Sequence, residues 1–224
     1  ETNEQIKNVH RTFFVPLRKL VRVWTTNDPH RYAPDPTVKK SERFLCVYRG
    51  NPTPVTGAEY IIEAARLLKD EDIAFRFITR GKLAHRLEQM VRDYGVRNIE
   101  FLSGFYSFER LRELMLEGHV LLGQFSTHVR LDRTIQFKTV EALAYGMPFI
   151  TADLPSNREL LHDGVDCLLV RRGDPRDLAD KILLLKKDPV LRQRLGEAAY
   201  ALYQRELAPS VLAEQILQIF QKLI

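Results

Sequence analysis

The segment at residues 137–150, FKTVEALAYGMPFI, sets a lysine and a glutamate three positions apart, at Lys138 and Glu141. Its apolar residues repeat at helical spacing, Gly146 suits the left-handed position after a helix, and Pro148 prevents the helix from continuing. Helical side chains lean toward the helix N-terminus, so the Glu141 carboxylate is predicted to reach back to the start of the helix. In a doubly wound sheet the ligand lies at such a helix start. The alternative interpretation is an ordinary amphipathic helix followed by a buried strand.

Strands and helices alternate regularly around this segment and would position it. Strands are predicted at residues 43–48, 73–79, 98–102, 119–125, 148–151 and 166–170. Helices are predicted at residues 57–68, 83–94, 108–116 and 137–146, with three more that begin near residues 175, 189 and 209. Most of the strands are apolar on both faces, which indicates a parallel sheet that is covered on both sides. The predicted fold class is therefore α/β, a Rossmann-like parallel sheet with helices on both faces.

The 137–150 segment resembles the K-x-x-E-A-x-A-x-G-x-P stretch of GT-B fold glycosyltransferases of the family 4 type. The matching positions are Lys138, Glu141, Ala142, Ala144, Gly146 and Pro148. In that family the glutamate binds the ribose of a nucleotide-sugar donor, and the resemblance implies this role for Glu141. It also implies that the predicted sheet is one half of a GT-B fold.

The resemblance implies a division of the chain near residue 40. Residues 41–224 would form the Rossmann-like domain that binds the nucleotide-sugar donor. Residues 1–40 carry a short predicted strand at residues 20–24 and proline-rich turns. They would be the tail of a preceding domain and a linker.

Loops after the predicted strands supply further candidate residues, because ligands of such a sheet bind at the carboxyl ends of its strands. The loop after the first strand resembles a family segment whose arginine and lysine bind the diphosphate. Here Arg49 would supply charge, or would lie free on the surface, while Thr56 occupies the lysine position. The resemblance implies that the loop with Gly104 and Phe105 meets the nucleotide base. Phe105 would stack on that base or cap the core.

A second departure from the family lies at Arg133. Family enzymes often have a glutamate eight residues before the position of Glu141, and it contacts the sugar or assists its departure. An arginine can bind phosphate but cannot take over the role of a carboxylate. Either Arg130, Arg133 and Lys138 replace the missing lysine, or the site no longer transfers sugar. The predicted donor-binding residues are Glu141, Lys138, Arg133, Arg49, Thr139, Gly104 and Phe105, and no catalytic residue is predicted.

The resemblance implies a glycosyltransferase of the hexosyltransferase type, which moves a sugar from a nucleoside diphosphate sugar such as a UDP-sugar to an acceptor. The expected process is glycan or polysaccharide synthesis. The acceptor would bind mostly to a missing N-terminal domain, so this fragment is expected to be inactive alone. Two alternatives remain, a non-catalytic nucleotide-binding or scaffolding domain of GT-B fold, and a sugar epimerase of the same fold.

The overall charge favours anionic partners, because the formal net charge is +5 and the pI is about 9.2. No basic motif interleaved with aromatic residues is present, so nucleic acid is not an expected partner. No apolar run approaches the roughly 18 residues of a membrane span, which leaves peripheral membrane contact open. Two cysteines, Cys46 and Cys167, favour a reducing compartment, and the predicted location is the cytoplasm or the inner membrane face.

No cofactor and no metal site are predicted. The run Asp70-Glu71-Asp72 imitates the D-x-D pair with which other glycosyltransferases hold a metal. These acids precede the strand that starts at Ile73, so they are predicted at the edge of the sheet opposite the ligand.

Overall fold

The computed structural model describes residues 2–222, apart from the side chain of Lys82, and contains a six-stranded parallel sheet. The strands are β1 (Phe44–Arg49), β2 (Ile73–Ile78), β3 (Ile99–Leu102), β4 (Val120–Leu122), β5 (Phe149–Ala152) and β6 (Leu168–Val170). Their spatial order is β3-β2-β1-β4-β5-β6. The predicted α/β fold class, with a Rossmann-like parallel sheet, is confirmed.

The helices are α1 (Asn3–Phe13), α2 (Ala58–Leu67), α3 (Lys82–Asp93), α4 (Phe108–Leu116), α5 (Phe137–Ala144), α6 (Pro155–Arg158), α7 (Pro175–Lys187), α8 (Pro189–Leu202) and α9 (Pro209–Gln221). Aspartates cap two of them. The Asp174 side chain accepts from two backbone amides of α7, and Asp188 accepts from the amide of Leu191 in α8. Each cap is followed by a proline at the first helical position. None of the described helices is long and apolar enough to cross a membrane.

Both faces of the sheet carry a hydrophobic core. Along β1, Cys46 and Tyr48 pack into the layer formed with α2 and α7, whereas Leu45 and Val47 pack into the layer formed with α5 and α8. All four side chains are buried, as the continuous apolar run predicts. Cys167 directly precedes β6, which β4 and β5 separate from β1, and both cysteines are free and buried.

The structure of residues 2–40 differs from the prediction. Residues 20–24 are irregular rather than a strand, and Trp24 is instead buried in the core layer of α5 and α8, with Arg22 stacked 4.0 Å from its ring. Helix α1 was not predicted. Glu159 stabilises it from a distance, because its carboxylate accepts from the amides of Asn3 at 2.7 Å and Glu4 at 3.1 Å. Such a cap cannot be read from the local sequence.

Helix α5 is buried more completely than an amphipathic helix would be. Residues 139–144 are all buried, because α5 packs between the sheet and α8. Gly146 has the predicted left-handed backbone, with φ of 61°. Its carbonyl lies against Gly196 of α8, where an added Cβ would come within 2.4 Å of the Gly146 oxygen. The two helices therefore cross in close contact.

Candidate functional site

A cavity of about 760 Å³ opens at the carboxyl ends of β1 and β4. From β1 the chain first builds the sheet outward through β2 and β3, and it then returns to β4 on the other side. The loops after β1 and β4 therefore diverge and leave a crevice between them. The cavity is lined by Thr25, Arg49, Gly50, Asn51, Thr53, Val55, Thr56, Ile78, Thr79, Arg80, Gly104, Tyr106, Leu111, Gln124, Arg130, Thr134, Ile135, Gln136, Phe137, Lys138 and Glu141.

Glu141 lies in the wall of this cavity, 1% exposed, and forms an ion pair with Arg49. The Arg49 guanidinium, at the end of β1, donates to Oε1 of Glu141. Burial raises the pKa of Glu141, while Arg49 and Lys138 oppose that rise. The second carboxylate oxygen, Oε2, has no hydrogen-bond partner within residues 2–222. Tyr32 is a further neighbour that opposes the rise in the pKa of Glu141, but its hydroxyl does not donate a hydrogen bond to Oε2.

Lys138, one turn before Glu141 in α5, also lines the cavity. Its Nζ is shielded from solvent, lies 4.2 Å from the centre of the Tyr48 ring, and has no hydrogen-bond partner among the described residues. Burial lowers the pKa of Lys138 to about 7, and the neighbouring Glu141 carboxylate opposes this shift. The cavity therefore presents a buried amine and a buried carboxylate oxygen that the protein leaves unsatisfied.

Two more unsatisfied polar atoms lie in the same cavity. Thr79 follows β2 and Gln124 follows β4, and both side chains are buried. The hydroxyl of Thr79 and Oε1 of Gln124 have no hydrogen-bond partner in the described part of the chain. Buried polar atoms are rarely left without a partner. Four such atoms in one cavity, with those of Lys138 and Glu141, indicate a site for a polar ligand.

The loop between β1 and α2 approaches the loop after β4 closely. Gly57 has φ of 71°, and an added Cβ would lie 2.3 Å from the backbone nitrogen of Ser126. Thr56 does not direct a free group into the cavity. Its hydroxyl donates to the carbonyl of Thr53 at 2.9 Å and accepts from the Thr53 amide at 3.1 Å. Thr56 thus closes the turn of this loop.

The structure brings together four of the seven predicted donor-binding residues, namely Arg49, Gly104, Lys138 and Glu141. Thr139 is buried in α5 beside the cavity but does not line it. Phe105 is 90% exposed and stacks under the Arg80 guanidinium, 4.4 Å from its ring centre. Arg133 lines a separate concavity. The roles of these three residues in donor binding remain predictions.

Sequence reasoning missed Tyr32, Thr79 and Gln124. Tyr32 lies in the segment interpreted as a linker, but its ring packs against Phe137 and Tyr145 of the α5 region, at 5.9 Å and 5.4 Å between ring centres. Only tertiary packing reveals this contact. Thr79 and Gln124 lie at the carboxyl ends of two predicted strands, and this position could have identified them.

Among the described residues, no group of three or more His, Cys, Asp or Glu side chains could hold a metal ion. The acids of residues 70–72 lie at the opposite edge of the sheet, as predicted, because they precede β2.

The chain is similar to known proteins in sequence and in fold. A model of the family described as glycosyl transferases group 1 matches residues 41–188. An alpha-D-kanosaminyltransferase of Streptomyces kanamyceticus is 26% identical over 184 residues, which are 81% of this chain and 46% of that protein. An uncharacterised glycosyltransferase of Methanocaldococcus jannaschii is 31% identical over 153 residues, which are 67% of this chain and 40% of that protein. The chain thus spans less than half the length of these two relatives.

Solved structures share the fold at lower identity. Anabaena HepE in complex with UDP and glucose has a TM-score of 0.79 and 17% identity, covering 92% of this chain and 58% of the other. A glycosyltransferase from Rickettsia africae has a TM-score of 0.85 and 12% identity, covering 99% of this chain and 62% of the other. Both similarities concern the fold.

Proposed function

This chain belongs to the glycosyl transferases group 1 family, as its residues predict, and we propose that it binds the nucleoside diphosphate of a nucleotide sugar. The bound donor would transfer its sugar to an acceptor in glycan or polysaccharide synthesis. The observation that carries the proposal is the pair of unsatisfied buried atoms, Nζ of Lys138 and Oε2 of Glu141, in one cavity at the carboxyl edge of the sheet.

Each of these atoms matches one part of such a ligand. The Glu141 carboxylate can accept hydrogen bonds from the two ribose hydroxyls, which would satisfy Oε2. The Lys138 amine would donate to a phosphate oxygen and regain its charge in an otherwise costly buried position. Arg49 lies beside both and would contribute a second cation to the diphosphate.

During sugar transfer, negative charge develops on the diphosphate as it leaves. Groups that are already fixed around the phosphate stabilise this charge without reorganising. Lys138 and Arg49 would act in this way, together with the start of α5, where residues 136–138 line the cavity and the helix dipole is positive. Gly104 and the loop around it would border the nucleotide base, with Tyr106 in the cavity wall.

A non-catalytic nucleotide-binding domain is the second candidate function, and Thr56 favours it. The family lysine is absent at this position, and the Thr56 hydroxyl is used within its own turn. However, the Lys138 amine lies in the same cavity and would supply the missing positive charge. This compensation supports retained transfer activity.

Residues 1–40 are proposed to be the tail of a preceding domain and a linker, with residues 41–224 as the donor-binding domain. Phe14, Phe13 and Leu17 are 86%, 68% and 52% exposed. A cluster of large apolar side chains with this exposure is typical of a surface that another structure covers. In this proposal the preceding domain carries most of the acceptor site. The proposed location of the protein is the cytoplasm or the inner membrane face.

The experiment that tests the proposal is calorimetric titration of the 224-residue chain with UDP, GDP and ADP. At least one nucleotide should bind. Replacing Glu141 by glutamine keeps the side-chain shape but removes the charged acceptor, so Glu141→Gln should weaken that binding by about tenfold or more. Glu214→Gln removes an exposed acid from α9 and is the matched control, which should bind like the wild type.

Two results would contradict this assignment. Equal nucleotide affinity of Glu141→Gln and the wild type would exclude Glu141 as a ribose ligand. Loss of the fold in Glu141→Gln, measured by circular dichroism, would assign the carboxylate a structural role as the partner of Arg49. Absence of binding by all three nucleotides would contradict the proposed function itself.

A further inference from the structure

A second concavity, of about 470 Å³, adjoins the cavity of Lys138 and Glu141, which is called the nucleotide cavity below after its proposed ligand. It is lined by Gln5, Asn8, Arg130, Arg133 and Thr134, and two of these residues, Arg130 and Thr134, also line the larger cavity. The two spaces therefore share a wall. Helix α1 forms one side of the concavity and the 3₁₀ turn Val129–Arg133 forms the other.

The concavity exists because α1 is fixed against this turn. The hydroxyl of Thr2, the N-cap of α1, donates to the carbonyl of Arg133 at 2.5 Å. The Glu159 carboxylate accepts from the first amides of the helix. These bonds place Gln5 and Asn8, one turn apart on α1, opposite the arginines.

The two arginines of the concavity, Arg130 and Arg133, have no acidic partner in the described part of the chain. Neither guanidinium forms an ion pair or a hydrogen bond with any residue between 2 and 222. Asp132, the acid between them in sequence, pairs with Arg172 at 3.0 Å. Glu4, whose pKa is lowered mainly by Lys7 and to a smaller extent by Arg133, pairs with the Lys7 amine at 2.6 Å. Asp132 and Glu4 therefore already have cationic partners, and the nearby Glu159 carboxylate accepts from the first amides of α1.

This set of groups matches an anion with several oxygens. A guanidinium binds a carboxylate or phosphate through two parallel hydrogen bonds, and side-chain amides can donate to the same oxygens. The lining includes no acid among the described residues, so nothing in it would repel such a group. Arg133 does not line the cavity of Lys138 and Glu141, so an anion that it binds would lie beside the nucleotide rather than replace it.

We propose that the concavity between α1 and residues 129–134 binds a carboxylate or phosphate group of a substrate, next to the nucleotide. The proposal rests on the proposed nucleotide-sugar function. Two kinds of substrate carry such an anion. It is either the carboxylate of an acidic donor sugar, such as a uronic acid, or a phosphate of the acceptor. In both cases Arg133 and Arg130 select charged substrates over neutral ones.

Binding experiments on the 224-residue chain separate these sources. In the donor arm, UDP-glucuronate and UDP-glucose are titrated by calorimetry into the wild type, Arg133→Gln and Arg130→Gln. A donor carboxylate in the concavity should make UDP-glucuronate bind about tenfold tighter than UDP-glucose. The preference should fall to about twofold or less in either variant. Arg97→Gln, which removes an exposed arginine just before β3 at the opposite edge of the sheet, should retain it in full.

In the acceptor arm, glycerol 1-phosphate is titrated into the chain, with and without saturating UDP, and backbone amide signals are followed by NMR. An acceptor phosphate should shift the signals of residues 5, 8 and 130–134, and the shifts should disappear in Arg133→Gln but not in Arg97→Gln. Circular dichroism checks that every variant is folded. If Arg133→Gln unfolds, the experiment uses Arg130→Gln in its place.

The outcomes of the two arms decide the proposal. No preference for UDP-glucuronate together with no shift at residues 5, 8 and 130–134 would overturn it. Failure of UDP to bind at all would instead overturn the proposed nucleotide function. Because glycerol 1-phosphate is also titrated in the absence of UDP, the concavity is still tested in that case.

Discussion

Lys138 and Glu141 each lower the free-energy cost of the other's buried charge. Burial disfavours the charge on both, and each stabilises the charge of the other. Arg49 satisfies only one carboxylate oxygen, so the unliganded site remains polar, buried and incompletely hydrogen-bonded. Such an arrangement is expected to be completed by a ligand, since unsatisfied buried groups destabilise the unliganded state.

Nucleotide binding should depend on pH through Lys138. Since its pKa is lowered to about 7 in the free site, the amine is mostly protonated below this pH and mostly neutral above it. A bound diphosphate favours the protonated form and raises the pKa, so the affinity should be full below about pH 7 and fall at higher pH, by at most about tenfold per pH unit. Calorimetry with UDP between about pH 7 and 9 measures this slope.

Lys138→Met provides the control, because methionine fills a similar space without a titratable group. Its affinity for UDP should be lower at neutral pH and nearly constant with rising pH. Ionisation of the nucleotide itself is common to both proteins and cancels in the comparison. The same slope in the variant and the wild type would rule out Lys138 as the titrating phosphate ligand.

The sequence predicted some of the residues that line the cavity but not all of them. Lys138 and Glu141 were found because helical spacing and the strand that follows place them at the start of α5. Arg133 was predicted near the same ligand, yet α1 and the 3₁₀ turn hold it in a neighbouring concavity. Tyr32 could not be found, because its packing against α5 depends on the path of a segment without a regular pattern.

Among the elements, the contact between the β1–α2 loop and the loop after β4 shapes the cavity. Gly57→Ala should destabilise the fold by about 3 kcal/mol, since a left-handed backbone and a clash with the Ser126 amide add together. Gly95→Ala is the matched control. Its φ of 62° is similar to that of Gly57, but an added Cβ meets nothing within 4 Å. It should cost only about 1 kcal/mol.

Urea unfolding of both variants measures this difference. The affinity of Gly57→Ala for UDP should also fall, because Thr53, Val55 and Thr56 of the same loop line the cavity. Equal destabilisation by the two substitutions would show that the loops move apart at little cost and do not fix the shape of the site.

Elements from residue 42 onward were predictable because local pattern and tertiary structure agree there. Apolar runs form buried strands, and the Asp-Pro pairs begin α7 and α8. Residues 20–24 have an apolar pattern but pair with no strand among the described residues. Helix α1 depends on Glu159, more than 150 residues away in sequence. Long-range hydrogen bonds therefore decide the structure where the local signal is weak.

At the scale of the whole molecule, fixed positive charge gathers at the ligand edge of the sheet. Arg49, Arg80, Arg130 and Lys138 line the cavity that is proposed to bind the nucleotide, and the lining contains one acid, Glu141, among the described residues. This distribution is what a diphosphate requires when no metal ion neutralises it.

Nucleotide binding should therefore not require a divalent metal. The run Asp70-Glu71-Asp72, which imitates a metal-binding pair, lies at the opposite edge of the sheet, and two of its three acids have basic partners. Asp72 accepts from Arg43 at 2.8 Å, and Glu71 pairs with Lys186 at 2.8 Å. UDP titrations with magnesium and with excess chelator should give nearly equal affinities, whereas Lys138→Met should weaken binding in both. A loss of about tenfold or more on chelation would mean that a metal ion, rather than these fixed cations, neutralises the diphosphate.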